Sequence, residues 1–362
     1  MNKISVIVTG VGGGAVGQQI IKALRLANTN YEIIGTDITT LSKGLMEVDY
    51  PYIITKASDA NYISCLIAII KKHNVKVVFP GSEQELKVLS KERKVFNEMG
   101  IFLPINPKKV IAICSNKFRT NKFLMENGFY YPRTVKISSN EDLDKIDFYP
   151  IVLKPNTGSS GSRNVFIVQN YNELTLLSKY ILMVYPSFLA QEYIGTSDNE
   201  FTVGILISED GEIINSIAVK RIIMSGLSNK IKVKNRTKNK KLGEYLAIST
   251  GITQGEIGRF PEVTKQCEEI GLKMGCRTTV NIQCRFVDGK VFVFEINPRF
   301  SGTTSFRAMV GYNEPDILIK KHILNENVEK YFNYNSGFIM RGLEETIIEN
   351  ENVFNAIDLL SS

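Results

Sequence analysis

The chain has 362 residues, 43% of them hydrophobic and 22% charged, which excludes a wholly disordered protein and is enough for two or three globular domains. Lys and Arg number 44 against 37 for Asp and Glu, and the formal charge of +7 suits anionic small molecules such as nucleotides at least as well as nucleic acid. His73 and His322 are the two histidines, so a multi-histidine metal centre is excluded and a Ser-His-Asp triad is disfavoured.

The cysteines and the lengths of the apolar runs indicate the cellular compartment in which we expect the protein. The five cysteines are odd in number and show no CxxC spacing, which favours reduced, buried thiols. The N-terminus enters an apolar run directly, without the features of a signal peptide. No apolar run approaches the length of about 18 residues that a membrane helix needs. We therefore expect a cytoplasmic protein with no membrane partner.

The first third of the sequence alternates strands and helices. Apolar runs predict strands over residues 4–8, 33–34 and 75–79. Apolar residues at helical spacing predict helices from residue 16, over about 59–72, and after Ser82, which can cap the third helix. Strands separated by helices are typical of a parallel, doubly wound sheet, which we expect to close near residue 107.

The rest of the chain is richer in strands. Helices are predicted over about 116–127 and 262–275, and strands over 151–154, 165–168, 188–192, 201–207, 213–220, 279–286 and 291–296. Residues 230–241 hold seven Lys or Arg, which we interpret as a solvated, mobile loop. The alternative is that this stretch steers an anionic substrate. Nucleic-acid binding is disfavoured because no aromatic residue interrupts the run to stack on bases.

A glycine-rich turn follows the first strand. Gly12, Gly14 and Gly17 satisfy G-x-G-x-x-G, and Asp37 ends the second strand 20 residues after Gly17. Such a turn lets a dinucleotide pyrophosphate approach the backbone at a helix N-terminus, so NAD binding is one interpretation. The other is a tight strand-to-helix turn whose phosphate site is degenerate or faces another ligand.

A second flexible loop follows the strand that ends at Lys154. It reads Pro-Asn-Thr-Gly-Ser-Ser-Gly-Ser-Arg over residues 155–163. Its N–H groups could close over a triphosphate while Lys154 supplies a point charge. The motif is not a Walker A loop, because the lysine precedes the glycines. An exposed hairpin loop is the alternative.

Oxygen ligands gather on the last predicted strand. Glu295 and Asn297 are two residues apart and therefore share a face. Their oxygens suit a hard cation such as Mg²⁺ that is shared with substrate phosphates. Arg299 follows at the strand end, where a guanidinium could stabilise charge on a transferring phosphoryl group. A hairpin with a polar outer face is the alternative.

The order of these elements resembles the ATP-grasp superfamily, and within it the carbamoyl-phosphate-synthetase-like carboxylate ligases. Besides the glycine turn, the resemblance is carried by Ser-Asn-Lys at 115–117, Leu-Lys-Pro at 153–155, Gln-Glu-Tyr-Ile-Gly at 191–195, Glu-Phe-Thr-Val at 200–203, Asn-x-Gln at 281–283 and Glu-Ile-Asn-Pro-Arg at 295–299. It implies an α/β fold of the α+β ATP-grasp type. A parallel, doubly wound pre-ATP-grasp domain over 1–112 would precede two ATP-grasp subdomains, over 113–190 and 191–362, with an antiparallel sheet.

The resemblance also implies ATP and Mg²⁺ as cofactors, and it implies roles for individual residues. Lys117 and Lys154 would hold ATP phosphates, with Lys154 also near the adenine, and the lid would be formed by Ser159, Ser160 and Gly161. The hinge along the adenine edge would be Gln191, Glu192, Tyr193 and Ile194, and Glu200 would bind the ribose hydroxyls. Mg²⁺ would be bound by Gln283, Glu295 and Asn297, and Arg299 would contact the γ-phosphate and the acyl phosphate.

On this basis we expect an ATP-dependent ligase that activates a carboxylate as an acyl phosphate and joins it to an amine, both being small molecules. The glycine turn would then help to form the substrate cleft. The candidate substrate residues are Glu83, Ser301, Gly302 and Thr303, and a homodimer is implied by the resemblance alone. Gln283 stands where such enzymes often have a carboxylate, which leaves the metal stoichiometry open. An NAD(P)-dependent oxidoreductase and a non-catalytic ATP-binding protein are the alternatives.

Strand geometry adds a condition on the metal site. If Asp-Gly at 288–289 were a two-residue turn, Glu295 would oppose Ile282 and lie on the other face from Gln283. With a three-residue loop over 287–289, Gln283 and Glu295 would share a face. The metal hypothesis therefore predicts an odd-length loop, although an Asp-Gly dipeptide is typical of the two-residue turn.

Overall fold

The computed structural model describes residues 3–12, 16–157, 164–224, 226–345 and 357–358. Within these ranges the strands form one parallel sheet, two antiparallel sheets and a two-stranded hairpin. None of the helices in the same ranges has the length and apolarity of a bilayer-spanning segment. Apolar side chains from the buried strands form the cores between the layers.

The first sheet is parallel and carries helices on both faces. Its order is β17-β3-β2-β1-β4, with strands β1 (Ile4–Thr9), β2 (Tyr31–Asp37), β3 (Tyr50–Ile53), β4 (Val77–Phe79) and β17 (Ile357–Asp358). The helices are α1 (Val16–Arg25), α2 (Tyr62–His73), α3 (Glu83–Lys91), α4 (Arg93–Glu98) and α5 (Lys108–Cys114). Val6 and Val8 pack with α1 on one face, whereas Ile7 packs with α2 on the other. The predicted doubly wound unit is confirmed.

The second sheet is antiparallel, in the order β5-β8-β6-β7. Its strands are β5 (Thr134–Ile137), β6 (Ile151–Pro155), β7 (Phe166–Val168) and β8 (Phe188–Glu192), accompanied by helices α6 (Lys117–Glu126) and α7 (Tyr171–Val184). Leu174 and Ile181 of α7 pack against the sheet. The Asn116 side chain accepts from the Arg119 N–H at 3.0 Å, and this cap fixes the start of α6.

The third sheet is antiparallel, in the order β15-β14-β9-β10-β13-β16. Its strands are β9 (Glu200–Ile207), β10 (Ile213–Arg221), β13 (Gly255–Gly258), β14 (Thr278–Val287), β15 (Lys290–Asn297) and β16 (Gly337–Ile339). The separate hairpin consists of β11 (Asn229–Lys234) and β12 (Tyr245–Ser249), and the remaining helices are α8 (Pro261–Met274), α9 (Thr304–Met309) and α10 (Glu314–His322). The predicted antiparallel sheet is confirmed.

The basic stretch is not a loop throughout. The lysines within 230–234 are exposed on β11, where they alternate with Ile231 and Val233. An aromatic ring also reaches the run, since Lys232 Nζ lies 4.4 Å from the ring centre of Tyr245 on β12. The expectation of a mobile loop was wrong for these residues, because the alternating apolar pattern pairs them with β12 despite the charge.

The β14–β15 hairpin places Gln283 and Glu295 on the same face, as the metal hypothesis requires, but it does so through a bulge and not through an odd-length loop. Its loop is the two-residue turn Asp288-Gly289, with φ of 49° and 75°, so the expected odd-length loop was wrong. A register shift in the ladder instead leaves Phe294 as an extra residue on β15. Beyond this bulge Gln283 pairs directly with Glu295, so the two side chains share a face.

A buried ion pair lies between the third sheet and its C-terminal helices. Arg307 on α9 and Glu314 on α10 are both 0% exposed, and Arg307 Nη1 lies 3.0 Å from Glu314 Oε1. Gly204 on β9 makes room for the guanidinium, because a Cβ at this position would lie 2.2 Å from Nη1. A side chain at position 204 would displace Arg307 from Glu314 and leave an uncompensated charge in the core. The buried ion pair therefore requires glycine at this position.

We expect Gly204→Ala to lower the free energy of unfolding by about 1–3 kcal/mol, because the new methyl group overlaps the Arg307 guanidinium. Gly271→Ala on α8 is the matched control: a Cβ there comes no closer than 3.4 Å to a neighbour, and alanine favours the helix. Urea unfolding followed by circular dichroism measures both variants. Wild-type stability of Gly204→Ala would contradict the packing of Arg307 beneath β9.

Candidate functional site

A cleft of about 820 Å³ opens between the second and third sheets. It is lined by every predicted nucleotide-binding residue that lies within the described ranges, namely Lys117, Lys154, Gln191, Glu192, Tyr193, Ile194 and Glu200. Val152, Ile248, Phe292 and Phe294 add apolar walls that suit the faces of a planar base. The predicted lid residues Ser159, Ser160 and Gly161 lie outside the described residues.

Lys154 lies at the floor of this cleft and is 6% exposed. Its Nζ donates to Gln191 Oε1 at 2.7 Å and to the Phe294 carbonyl at 3.0 Å. Burial, and secondarily repulsion from Lys117, lower the pKa of its ammonium to about 7, against an opposing attraction to Glu295. An anionic ligand would therefore stabilise the charged form of this side chain.

In the segment after β8, the Ile194 N–H is left for a ligand. The Tyr193 N–H donates to the Pro150 carbonyl at 3.1 Å, and the Ile194 carbonyl accepts from Arg285 Nη1 at 2.9 Å. The Ile194 N–H has no acceptor among the described residues. A free N–H at the edge of an apolar slot is suited to a ring nitrogen of a base.

Glu200 is held by two buried arginines that the sequence reading did not assign. Its Oε1 accepts from Arg221 Nη1 at 3.0 Å and from Ser249 Oγ at 2.7 Å, and its Oε2 accepts from Arg285 Nη2 at 3.3 Å. A ribose hydroxyl would have to share these acceptors. The sequence did contain a signal for Arg285, which stands two residues after Gln283 and so shares its strand face.

The predicted metal ligands Gln283, Glu295 and Asn297 share one face of the third sheet. Asn297 Nδ2 donates to Glu295 Oε1 at 3.0 Å, while the Gln283 amide makes no hydrogen bond to any described residue. In the part of the chain described here, no group of three His, Cys, Asp or Glu side chains could hold a metal. One carboxylate and two amides fit a hard cation when a bound anion supplies further oxygens.

A second cavity, of about 790 Å³, adjoins the first. Gln283 and Glu295 line both, so the predicted metal face stands at their junction. The other predicted residues that line the second cavity are Asn297, Arg299, Ser301, Gly302 and Thr303. The sequence reading missed the residues around them, which are Val16, Thr202, Arg221, Thr250, Gly251 and Thr253, and it gave no role to Asn281.

Arg299 links this cavity to the first sheet's helices. Its Nη2 donates to Asn297 Oδ1 at 3.2 Å and to Glu83 Oε1 at 3.3 Å. Glu83 lines a smaller cavity beside the predicted metal face, together with Lys117 and Glu295. The structure therefore brings three of the four candidate substrate residues together and places Glu83 as the partner of Arg299.

Family comparisons cover most of the chain. A PylC-like N-terminal domain matches residues 6–104, and an ATP-grasp domain matches residues 114–303. The chain is 30% identical over 244 residues to coenzyme gamma-F420-2:alpha-L-glutamate ligase of Methanococcus maripaludis, covering 63% of this chain and 70% of that protein. It is 32% identical over 116 residues to the ligase of the same name from Methanocaldococcus jannaschii, covering 30% of this chain and only 39% of that protein.

Solved structures share the fold at lower identity. The ADP complex of the N5-carboxyaminoimidazole ribonucleotide synthetase purK has a TM-score of 0.65 at 16% identity, covering 93% of this chain and 82% of that one. The L-amino acid ligase from Bacillus licheniformis has a TM-score of 0.59 at 18% identity, covering 88% and 74%. The chain belongs to the ATP-grasp family.

Proposed function

We propose that this chain uses ATP to phosphorylate a small-molecule carboxylate and joins the resulting acyl phosphate to an amine. The observation that carries the proposal is the junction of the two cavities at Gln283 and Glu295. A slot for a planar base and a buried lysine lie on one side, and a cavity with hydroxyl and guanidinium groups lies on the other. A phosphoryl group could pass across this junction in a single short step.

The proposed reaction has two steps, and neither of them requires a covalent bond between the substrate and the protein. First, a carboxylate oxygen attacks the γ-phosphorus, and the bond from that phosphorus to the bridging oxygen breaks to leave ADP. Second, the amine lone pair attacks the acyl carbon, the carbon–oxygen bond to phosphate breaks, phosphate leaves with the electron pair, and the amine loses a proton to solvent. The protein's contribution is therefore positioning and charge neutralisation.

On the nucleotide side, Lys117 and Lys154 would neutralise phosphate charge. The Ile194 N–H would donate to the adenine ring, and Glu200 would bind the ribose by sharing the acceptors that now face Arg221, Ser249 and Arg285. The Gly/Ser-rich loop over residues 158–162 would cover the phosphates. Exclusion of water by such a cover would protect the acyl phosphate from hydrolysis.

At the junction, Gln283, Glu295 and Asn297 would hold Mg²⁺ together with phosphate oxygens. The bound ion would supply neutralisation of the charge on the transferring phosphoryl group. Arg299 would contact the same group from the second cavity. Its guanidinium is held in place by two neighbours, since Nη1 donates to the Phe300 carbonyl at 2.9 Å and Nη2 lies 3.3 Å from Glu83 Oε1.

A screen of carboxylates and amines for ADP release tests the reaction directly. We expect release that requires both substrates, and L-glutamate belongs in the panel because the two curated relatives are named as ligases for it. ATP binding without substrate-dependent release from a broad panel would favour the non-catalytic alternative. A thermal-shift comparison addresses the other alternative: stabilisation by NAD and none by ATP with Mg²⁺ would contradict the proposal.

Glu295→Ala should abolish turnover and leave the fold intact, because Glu295 is the one carboxylate among the three proposed Mg²⁺ ligands. Glu256→Ala is the matched control, since Glu256 is an exposed carboxylate on β13 of the same sheet. Steady-state ADP release at saturating Mg²⁺ is compared for both variants, with circular dichroism to verify folding. Retention of about a tenth or more of the wild-type rate would remove Glu295 from the metal site.

ATP binding should take up a proton at Lys154. With a pKa of about 7, this side chain is about 90% neutral at pH 8 in the free protein, and triphosphate oxygens would raise that pKa. ATP affinity should therefore fall as pH rises above 7, by at most about tenfold per pH unit. Calorimetry at pH 8 in two buffers of different ionisation enthalpy measures the uptake, which Lys154→Met should largely remove. Binding by wild type without uptake would place the phosphates away from Lys154.

A further inference from the structure

The second cavity holds a polar side chain that the proposed reaction leaves unused. Asn281 on β14 lines this cavity, two residues before Gln283 and on the same strand face. It is 3% exposed and pairs with Asn297 of β15. Its amide therefore lies between the predicted metal face and the buried pair of Arg307 and Glu314.

The amide oxygen of Asn281 already accepts hydrogen bonds from two neighbouring side chains. It accepts a hydrogen bond from Thr202 Oγ1 at 2.9 Å and another from Arg307 Nη2 at 2.6 Å. A guanidinium carries donors only, so an amide turned the other way would set its NH₂ group against those of Arg307 and leave buried donors unpaired. The oxygen must therefore face Arg307, and the nitrogen must face away from it.

Arg307 is itself fixed in place. Its Nη1 donates to both carboxylate oxygens of Glu314, at 3.0 and 3.1 Å, and Glu314 Oε1 also accepts from Thr279 Oγ1 at 2.9 Å. The backbone of Gly204 closes the space on the other side of the guanidinium. Since Arg307 and Glu314 are both 0% exposed, water does not compete for these bonds. The pair thus sets the orientation of the Asn281 amide.

The two N–H groups of Asn281 Nδ2 are left for the cavity, because the nitrogen has no acceptor among the described residues. We propose that Asn281 is a substrate-binding donor for an anionic oxygen, that of the carboxylate or of its acyl phosphate, and that Arg307 and Glu314 are positioning residues for it. The inference rests on the proposed function for the identity of the anion. The direction of the amide follows from the contacts alone.

The same contacts separate Asn281 from the metal site. It shares a face with Gln283, but its oxygen is taken by Thr202 and Arg307 and is not available to a cation. N–H donors beside the Arg299 guanidinium bind oxygen anions, whereas an ammonium group would need acceptors. This part of the cavity therefore suits the carboxylate substrate rather than the amine.

Inorganic phosphate tests the assignment without knowledge of the substrate, because phosphate is the product that would leave this cavity. It is titrated calorimetrically into the protein preloaded with ADP and Mg²⁺, for wild type and Asn281→Asp. The aspartate keeps an oxygen facing Arg307 and Thr202 and replaces the NH₂ group by a second oxygen. We expect phosphate affinity to fall by at least about tenfold, while ADP affinity stays within about twofold.

Asn215→Asp is the matched control. Asn215 is a fully buried amide on β10 whose Oδ1 lies 3.5 Å from Nη1 of Arg259, the residue that follows β13, so this variant also places a carboxylate beside an arginine. It should leave phosphate affinity unchanged. If Asn281→Asp does not fold, Asn281→Ser removes the two amide N–H donors and leaves a shorter hydroxyl group without adding charge, and the same loss is expected.

Three results would overturn the proposal. The first is wild-type phosphate affinity in the Asn281 variants, and the second is the absence of phosphate binding by the wild-type complex with ADP and Mg²⁺. The third is tighter Mg²⁺ binding by Asn281→Asp, which would make the side chain a metal ligand. The screen for substrate-dependent ADP release is independent of this titration. A negative screen with the expected phosphate result would fault the ligase reaction and leave the donor assignment standing.

Discussion

The extra residue Phe294 on β15 is the constraint on which the arrangement of the candidate site depends. Between the Asp288-Gly289 turn and this bulge, the ladder has the register of a two-residue hairpin, which would separate Gln283 from Glu295. Past the bulge the register has moved by one, and the two side chains share a face. The same residue also supplies the carbonyl that accepts from Lys154 at 3.0 Å. One local irregularity therefore positions both the predicted metal face and the buried cation beside it.

Two buried ionic networks hold the side chains around that face. Glu200 lies between Arg221 and Arg285 at the wall of the first cleft, and Arg307 pairs with Glu314 beside the second cavity. Such pairs cost desolvation energy that their attraction only partly offsets, so stability is a weak reason for their presence. Each network instead directs neighbouring groups: the first orients the walls of the cleft, and the second orients an amide of the second cavity.

A single amide connects the first unit to the site. Asn106 is fully buried, and its Nδ2 donates to the Thr279 carbonyl at 2.7 Å and to the Pro298 carbonyl at 3.1 Å. Its Oδ1 accepts from the Arg277 N–H at 2.7 Å. These bonds tie the segment after the parallel sheet to the start of β14 and to the residue before Arg299. The pairing of Arg299 with Glu83 adds a second link. A movement of the parallel sheet and its helices would therefore displace residues at the junction of the cavities.

Local patterns in the sequence predicted the elements and many of the candidate residues: a continuous apolar run predicted the strand over residues 4–8, and the order of the motifs, through the family resemblance, predicted seven nucleotide-binding residues among those that line the cleft. Long-range packing sets the bulge at Phe294, the burial of Arg221 and Arg285 around Glu200, and the direction of the Asn281 amide. The physical reason is that periodicity along one strand fixes which face a side chain occupies. The register and the hydrogen-bond partners on that face are set by residues far away in the chain, whose positions exist only once the sheets have packed.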